Sequence, residues 1–442
     1  MRRRAGVLAM PNFRRFYVGY VTSLLGSSMS TVAIAWAVLD NGGSATSLGV
    51  VFAANVVSQV LTLPFAGAIA DRLGRRRVMI TADSLRCGAQ ASLAVALFTG
   101  QPPLWLFVLL AWLVGTGEAF FGPSQDALTV QIAPQDQLGN ANALYGLARS
   151  ATRIGGPVLG GILVALAGPA VVVAVDAASY AVSVLALILL TMPVAAPARA
   201  APAGAAPARA APARRRSLWQ DMTEGWAEFR SRKWLPVVTV QFAFFNLITW
   251  APWMLLGPVL GHAYLGGAAV WGAIMAMQGA GAIVAGLASL GRKPARPMVV
   301  ATIGSFCYAL PDIPMALHAS APWVAAAAFG CGAGSALFGT YFGTAMQQQV
   351  PPEMLARVSS LSTFPAYGVG VIGYAIDGPL AAAFGTSAVF AVGAVYGLAS
   401  SATVLSMRSV RAVRWRGEDE PAVSASAPPR GARRKRLAAP PP

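Results

Sequence analysis

The sequence predicts an all-α membrane protein with twelve transmembrane helices in two six-helix halves. Three observations predict this class: the composition, the lengths of the apolar segments, and the placement of the basic residues. Hydrophobic residues make up 56% of the 442 residues and charged residues only 11%, against about 25% charged residues in soluble domains. With a mean hydropathy of +0.59, most of this chain is expected to lie in lipid.

Twelve apolar segments are long enough to cross about 30 Å of hydrocarbon. They fall into two sets of six on either side of residues 193–217: about 16–39, 48–70, 78–99, 104–126, 141–167 and 169–191, then about 235–257, 266–290, 298–318, 322–345, 358–384 and 386–407. The first segment is too long for a cleaved signal sequence, so we expect it to be retained.

Lysine and arginine residues are confined to alternate connections, apart from Arg86, Arg149 and Arg153 inside segments. The N-terminal arm, the second connection and the central linker carry most of them, and the connections between carry none. By the positive-inside rule the basic connections are cytoplasmic. We therefore expect a multi-pass plasma-membrane protein, a monomer, with both termini in the cytoplasm.

Four regions follow from this pattern. Residues 1–192 form the first six-helix half, and 193–217 form a disordered linker of Ala, Pro and Arg with repeated AAPAR units. Residues 218–407 form an amphipathic helix and the second half, and 408–442 form a basic disordered tail. The amphipathic helix has Leu218, Met222, Trp226 and Phe229 at helical spacing, and the alternative is an ordinary extension of the seventh transmembrane helix.

Composition also argues against several classes of function. The net charge of +17 lies where anionic inner-leaflet lipids would be, so nucleic acid is not an expected partner and anionic lipid is. The three cysteines have no CxxC spacing, and we predict no metal and no cofactor. Both histidines lie on non-basic connections, so no catalytic constellation is visible, and the absence of a GxxxxGK[ST] motif excludes the usual ATP site.

The stretch GAIADRLGRRR at 67–77 resembles the GxxxDRxGRRx signature of the major facilitator superfamily. In physical terms, glycine permits the tight turn, arginines hold the connection at the anionic leaflet, and the aspartate is an acceptor at a helix boundary. The resemblance implies that Asp71 contacts the cytoplasmic end of the eleventh helix, where Arg357 lies. The predicted conformational gate is Gly67, Asp71, Arg72, Gly74, Arg75, Arg76 and Arg357.

A second stretch, GPVLGG at 156–161, resembles the GPxxGG motif of exporters and antiporters of that superfamily. Its residues are Gly156, Pro157, Gly160 and Gly161. The GxxxG spacing allows close helix packing and the proline bends the helix, so this helix can seal one side of a cavity.

Two further stretches narrow the resemblance to twelve-helix drug and natural-product exporters related to macrolide efflux proteins and the enterobactin exporter. They are ADSLR at 82–86 and GTGEAFFGPSQDAL at 115–128. The resemblance implies a proton-coupled exporter. The chain departs from it by carrying Glu118 in the fourth helix, where many proton-coupled relatives have arginine.

Five charged residues at membrane depth are candidates for proton coupling or buried pairing, because such charges are costly in lipid: Glu118, Arg149, Arg153, Asp83 and Arg86. Glu118 and Arg149 lie at similar depth, so Glu118 either carries a proton or pairs with Arg149. Asp83 and Arg86 are three residues apart, which predicts a local pair. Asp176, Asp312 and Asp377 are placed towards the outer ends, where a wet vestibule could hydrate them.

Seven polar and aromatic residues are predicted to line the substrate cavity: Asn55, Gln59, Tyr145, Asn246, Trp250, Gln278 and Tyr341. Such walls suit a partly apolar molecule. The sequence thus predicts a secondary transporter that exports a small amphipathic molecule, with protons as a partner. Uptake or facilitated transport is the alternative, and a membrane sensor or scaffold is a more distant one.

Overall fold

The computed structural model of the chain describes residues 6–134, 137–191 and 218–415, without the side chains at 67, 68, 71, 127, 218–222, 352, 353, 356, 366 and 367. The predicted linker and most of the predicted tail lie outside this part of the chain. Six long helices form the first half: α1 Pro11–Asp40, α2 Ala45–Leu73, α3 Arg75–Thr99, α4 Leu104–Ile132, α5 Leu138–Ala167 and α6 Pro169–Ile188.

The second half begins with the amphipathic helix α7 Leu218–Ser231. Six membrane helices follow: α8 Trp234–Leu265, α9 Gly267–Ser289, α10 Pro297–Ala316, α11 Ala321–Gln349, α12 Pro352–Phe384 and α13 Thr386–Ser406. Helix α8 contains two π-helical turns, Asn246–Trp250 and Gly261–Leu265, and α10 contains a 3-10 turn, Cys307–Ala309. A short helix, α14 Arg408–Arg411, ends this half.

The predicted twelve-helix class is confirmed. Eleven helices of the described residues are long and apolar enough to cross a membrane, and α3 is the twelfth by its place in the bundle. Asp83 and Arg86 keep α3 from qualifying on hydropathy alone, yet both are buried. Large apolar side chains such as Trp105, Phe384 and Leu166 are 65%, 72% and 80% exposed on the outside of the bundle, as a lipid-facing surface requires.

Two ends of the bundle can be distinguished by charge. The end with residues 72–77 and 290–297 carries Arg72, Arg75 and Arg292 among others and is called the basic end here. The opposite end carries the turns at 41–44, 100–103 and 317–320. Gly74 makes the predicted one-residue turn at the basic end with φ +87°, and Gly168 makes an equivalent turn at the opposite end with φ +82°, conformations that favour glycine.

The two halves pack against each other from the middle of the bundle to the opposite end. A Cβ on Gly378 in α12 would lie 2.6 Å from the Thr46 nitrogen in α2, and Phe52 packs edge-on against Tyr374 with ring centroids 5.9 Å apart. An apolar cluster spans both halves there, joining Trp36 and Leu48 to Trp253 and others. This end of the bundle is therefore closed.

Two observations at the edges of the second half bear on the predicted regions. Helix α7 is separate from α8, since Arg232 and Lys233 interrupt the two, and Phe229 is buried as the amphipathic pattern predicts. Residues 408–415 of the predicted tail belong to the described part of the chain. Val410 and Val413 are buried, and the Trp415 N–H donates to the Ala295 carbonyl at 3.1 Å, so residues 408–415 pack on the basic end.

Candidate transport site

A cavity of about 260 Å³ lies in the first half, just inside the closed end. Helices α1, α2, α3, α4 and α6 supply most of its wall, and Met254 of α8 and Tyr374 of α12 close it from the second half. The polar wall includes Asn55, Gln90, Glu118, Asp176 and Tyr180, and the apolar wall includes Val51, Phe52, Leu93, Phe107 and Leu110. The cavity is therefore amphipathic and acidic.

Glu118 is held in this wall by amide side chains from α2. The Gln59 amide donates to Glu118 Oε2 at 3.1 Å and to Asn55 Oδ1 at 2.8 Å, while the Asn55 amide donates to the Ala111 carbonyl at 3.2 Å. Helices α2 and α4 approach closely enough for this chain because Gly115 leaves no side chain between them. Of the seven predicted cavity residues, Asn55 lines the cavity and Gln59 contacts its carboxylate.

Asp176 corrects the sequence prediction of a hydrated vestibule. Its side chain is fully buried, the Gln90 amide donates to its Oδ2 at 2.7 Å, and the Ser179 hydroxyl donates to its Oδ1 at 3.4 Å. The Gln90 amide also donates to Ser30 at 3.0 Å, which ties α1 to the pair. Asp176 lies seven residues into α6, about 10 Å from its start at a rise of about 1.5 Å per residue, so it is deep in the bundle.

The same correction applies to the other two predicted vestibule residues. Asp312 is 1% exposed and Asp377 is 3% exposed. Neither is a surface carboxylate.

Arg86 is the cation of this acidic site. It forms the predicted ion pair with Asp83, which also accepts from the Ser183 hydroxyl at 2.5 Å. Its guanidinium lies 4.7 Å from the ring centroid of Phe121 and 4.5 Å from that of Tyr180. Its charge also acts on both Glu118 and Asp176. One buried guanidinium thus faces three carboxylates.

The structure does not pair Glu118 with Arg149, one of the two arrangements that the sequence left open. Arg149 is exposed, and its Nε donates to the Tyr20 hydroxyl at 2.9 Å. Arg153 is exposed as well. Arg86 takes the place of Arg149 beside Glu118 because Gly117 lets α3 approach α4: a Cβ there would lie 2.7 Å from Arg86 Cγ.

Most of the other predicted cavity residues serve packing. Tyr145 is buried, bonds to Thr129 at 3.2 Å and joins an aromatic cluster near the basic end. Tyr341 is buried in the core of the second half, and Gln278 is buried between α9 and α11. Asn246 donates to the Phe242 carbonyl of its own helix at 2.7 Å, and Trp250 is half-buried against both cores.

The predicted gate is described in part. Arg76 caps the end of α6, with its Nε and Nη2 donating to the Leu187 and Ile188 carbonyls at 2.8 and 2.6 Å. The Arg357 Nη1 atom lies 3.4 Å from Glu224 Oε2 of α7. Gly67 and the side chain of Asp71 lie outside the described residues, so the contact between Asp71 and Arg357 stays a prediction. The connection 72–77 itself lines a basic cavity of about 700 Å³.

The glycines of the 156–161 motif face two different neighbours. A Cβ on Gly156 would collide with Ser28, and one on Gly160 would lie 2.7 Å from the Met29 carbonyl oxygen, both in α1. A Cβ on Gly161 would collide with the Ala268 carbonyl oxygen in α9, across the boundary between the halves. Pro157 contributes there as well, because its carbonyl oxygen would lie 2.7 Å from a Cβ on Gly272.

This arrangement of two six-helix halves around a cavity agrees with the comparison with known families. The model of the Major Facilitator Superfamily matches residues 16–373. The chain belongs to this superfamily. The family predicted from the 67–77 and 156–161 motifs is thereby confirmed, and the chain is a multi-pass membrane protein of a family of transporters.

The chain is similar to two efflux proteins in sequence and to a solved transporter structure in fold. It is 27% identical over 390 residues to the multidrug efflux pump Tap of Mycolicibacterium fortuitum, covering 84% of this chain and 89% of that protein. It is 23% identical to macrolide efflux protein A of Streptococcus pyogenes, covering 41% of this chain and 45% of that protein. The crystal structure of the nucleoside transporter NupG superposes with a TM-score of 0.64 at 13% identity, covering 89% of this chain and 98% of that one.

Proposed function

We propose that the chain exports a small amphipathic molecule across the plasma membrane by alternating access, in exchange for protons. The observation that carries this proposal is the acidic, amphipathic cavity of the first half, which Met254 and Tyr374 of the second half close, beside an end of the bundle that glycine contacts hold shut. Export is favoured over uptake because the 156–161 motif packs at that closed end and because the relatives are named as efflux proteins.

The cavity supports a substrate with an apolar body and a polar or cationic group. Phe52, Phe107 and Leu110 offer apolar surface, and Glu118 and Asp176 offer acceptors on the other wall. At about 260 Å³ the cavity is slightly below the roughly 300–1,000 Å³ of typical ligand sites. The substrate is therefore expected to enter a wider state of the same cavity, and Met254 and Tyr374 are expected to move away as it does.

The charge balance supports proton exchange. Asp83, Glu118 and Asp176 share one buried cation, Arg86, and buried charges are costly unless they are paired. Asp83 takes the direct ion pair. Glu118 and Asp176 are left with neutral donors from Gln59 and Gln90, so a proton or a cationic substrate supplies the missing positive charge.

In the proposed mechanism the two ends of the bundle open and close in turn. The basic end is taken as cytoplasmic, because lysine and arginine are retained on the inner side and are attracted to its anionic lipids. Gly161 and Gly272 then close the outer end, and Asp71 with Arg357 is the proposed latch of the inner end. Each substrate cycle breaks one set of contacts while the other forms.

Transport in inside-out vesicles with an imposed pH gradient tests this proposal. Vesicles containing the protein and acidified inside should accumulate a macrolide or ethidium, and collapsing the gradient should stop accumulation. Glu118→Gln should abolish the dependence on the gradient, because the amide cannot bind the proton. Glu228→Gln is the matched control, since Glu228 on α7 is paired with Arg232, which follows that helix, at 2.6 Å and away from the cavity.

Two results would count against the proposal. Movement of the same compounds in vesicles without a gradient, at the same rate, would remove proton exchange. Accumulation only in right-side-out vesicles would reverse the direction and favour uptake.

A further inference from the structure

The second half contains a buried carboxylate that the cavity in the first half does not use. Asp312 in α10 is 1% exposed, and neither of its carboxylate oxygens has a hydrogen-bond partner within the described part of the chain. An ionised carboxylate left unpaired at membrane depth is costly, and burial without a hydrogen bond adds to that cost. The geometry around Asp312 is therefore expected to suit a neutral carboxylic acid or a bound cation.

A backbone acceptor faces the same gap as Asp312. A Cβ on Gly393 in α13 would lie 2.5 Å from Asp312 Oδ2 and 3.0 Å from the Ile248 carbonyl oxygen in α8, so both oxygens border one glycine. The Ile248 carbonyl lies in the π-helical turn Asn246–Trp250. Residue 252, four positions later, is a proline without an N–H, so that carbonyl has no α-helical donor at the i+4 position.

The position of Asp312 mirrors the buried site of the first half. Asp312 lies fifteen residues from the first residue of α10, as Gln90 does in α3. Gly393 lies seven residues from the first residue of α13, as Asp176 does in α6. In the first half the Gln90 amide donates to Asp176. In the second half the aspartate, Asp312, lies on α10 and faces Gly393 on α13. The carboxyl group is therefore present in both halves, but an amide donor corresponding to Gln90 is not found at Gly393.

A polar cleft that offers a path for protons lies one turn of α10 away from Asp312, towards the basic end. Tyr308 lies one turn earlier on α10 and lines a narrow cleft of about 10 Å³ together with Gln241, Ser305 and Ser401. That volume is about what one water molecule occupies. The Ser305 and Ser401 hydroxyls are 2.9 Å apart, and the Gln241 amide donates to Ser401 at 3.3 Å, so the path can relay a proton between hydroxyl groups and water.

We propose that Asp312 is a proton-binding site of the second half, with its carboxylic acid O–H donating to the Ile248 carbonyl. The proton arrives from water through the cleft at Tyr308 and leaves by the same route, and no other bond changes. Cys331 on α11 is an ionisable group close enough to interact electrostatically with Asp312, and Tyr308 lies one turn away on the same helix. Among the described residues packed beside Asp312, α8 contributes the Ile248 carbonyl and α13 contributes Gly393. Its use in the transport cycle rests on the proposed proton exchange, but its existence does not.

Carbodiimide labelling of the purified full chain in detergent tests the site without any transport. Dicyclohexylcarbodiimide adds to protonated carboxyl groups in apolar surroundings, and mass spectrometry locates the adduct. Asp312 should be labelled near pH 6, and labelling should fall as the pH rises and the proton is lost. Asp312→Asn should lose this adduct, and exposed Asp40 should not be labelled in either protein.

Thermal unfolding of the same samples is a second measurement that does not depend on reagent access. A folded state that holds a proton which the unfolded state releases becomes less stable as pH rises. The melting temperature of Asp312→Asn should therefore fall less than that of the wild type between about pH 6 and 9, and Asp126→Asn, a change at an exposed carboxylate, should behave as the wild type does.

The outcomes of these experiments distinguish a proton site from a sodium site and from no site at Asp312. Equal pH slopes for the wild type and Asp312→Asn would overturn the proton site, and so would protection from labelling by sodium but not by choline at constant pH, which would assign a sodium site instead. Labelling and slopes as expected, together with transport that ignores the pH gradient, would keep the proton site and reject the proposed coupling.

Discussion

Gly161 of α5 lies directly against the carbonyl oxygen of Ala268 in α9, and this contact joins the two halves at the closed end. A Cβ on Gly161 would collide with that oxygen, whereas one on Gly155, a turn and a half earlier in the same helix, would meet open space. The two glycines therefore form a natural pair for testing whether this contact closes the transporter.

Gly161→Ala should impair closure of this end. Overpacking of this kind costs about 1–3 kcal/mol, and this cost applies only to the state in which the halves touch. Because about 1.4 kcal/mol corresponds to a factor of ten, transport is expected to fall about tenfold. Gly155→Ala should stay within about twofold, because alanine is the better helix former. Equal losses in both variants would show that the Gly161 contact has no special role.

A second contact across the halves joins His262 at the end of α8 to Asp40 at the end of α1. The His262 Nε2 lies 3.0 Å from Asp40 Oδ1, and both side chains are more than 40% exposed. Exposed pairs contribute about 0.2–1 kcal/mol, so this contact can bias closure but cannot enforce it.

Asp40→Asn should therefore raise the reactivity of a cysteine placed at Thr46 by no more than about fivefold, in a background with Cys87, Cys307 and Cys331 replaced by serine. The reporter is at the closed end, where Thr46 packs on Gly378. With Asp40 and His262 both present, high salt should also raise the reactivity of the reporter cysteine, though by less, because salt screens the attraction between the two side chains. Asp126→Asn, an exposed carboxylate towards the basic end, should leave the reporter unchanged.

The number of helices and the Asp83–Arg86 pair could be predicted from the sequence because both depend on local spacing. Apolar length gives the crossings, and residues three apart on one helix are neighbours. The partner of Glu118 could not be predicted in that way. Depth along the chain made Arg149 and Arg86 comparable, but the choice depends on how each helix is rotated and on the close approach that Gly117 allows between α3 and α4.

The cavity lining was harder to predict for the same reason. Asn55 was predicted and lines the cavity, and Gln59 was predicted and contacts Glu118. Asp176, Gln90 and Tyr180 were missed as lining residues, because facing a cavity depends on helix rotation that a fully apolar helix does not reveal. The depth of Asp176 could be predicted from the sequence, because counting from Pro169 places it well inside α6. Its burial against Gln90 required the packing of α3 on α6.

Arg76 should be distinguishable from the other arginines of its connection by its effect on stability. It bonds to two carbonyls at the end of α6, where backbone acceptors lack helical partners, and hydrogen bonds to charged groups contribute about 1.5–3 kcal/mol. Arg76→Ala should therefore lower the melting temperature in detergent, and Arg76→Lys should lower it less. Exposed Arg77→Ala should leave it near the wild-type value, and equal shifts for Arg76 and Arg77 would contradict the capping role.

The Asp83–Arg86 pair should separate folding from transport. Removing one partner leaves a buried charge uncompensated, at a cost of about 3–5 kcal/mol, whereas replacing a buried pair by apolar residues is often neutral. Asp83→Leu alone should therefore destabilise the protein strongly, and Asp83→Leu with Arg86→Met should recover much of the melting temperature. Transport should not recover, because Glu118 and Asp176 lose the cation that acts on both. If the double variant transports as well as it folds, Arg86 serves structure alone, and the charge balance proposed for the cavity is wrong.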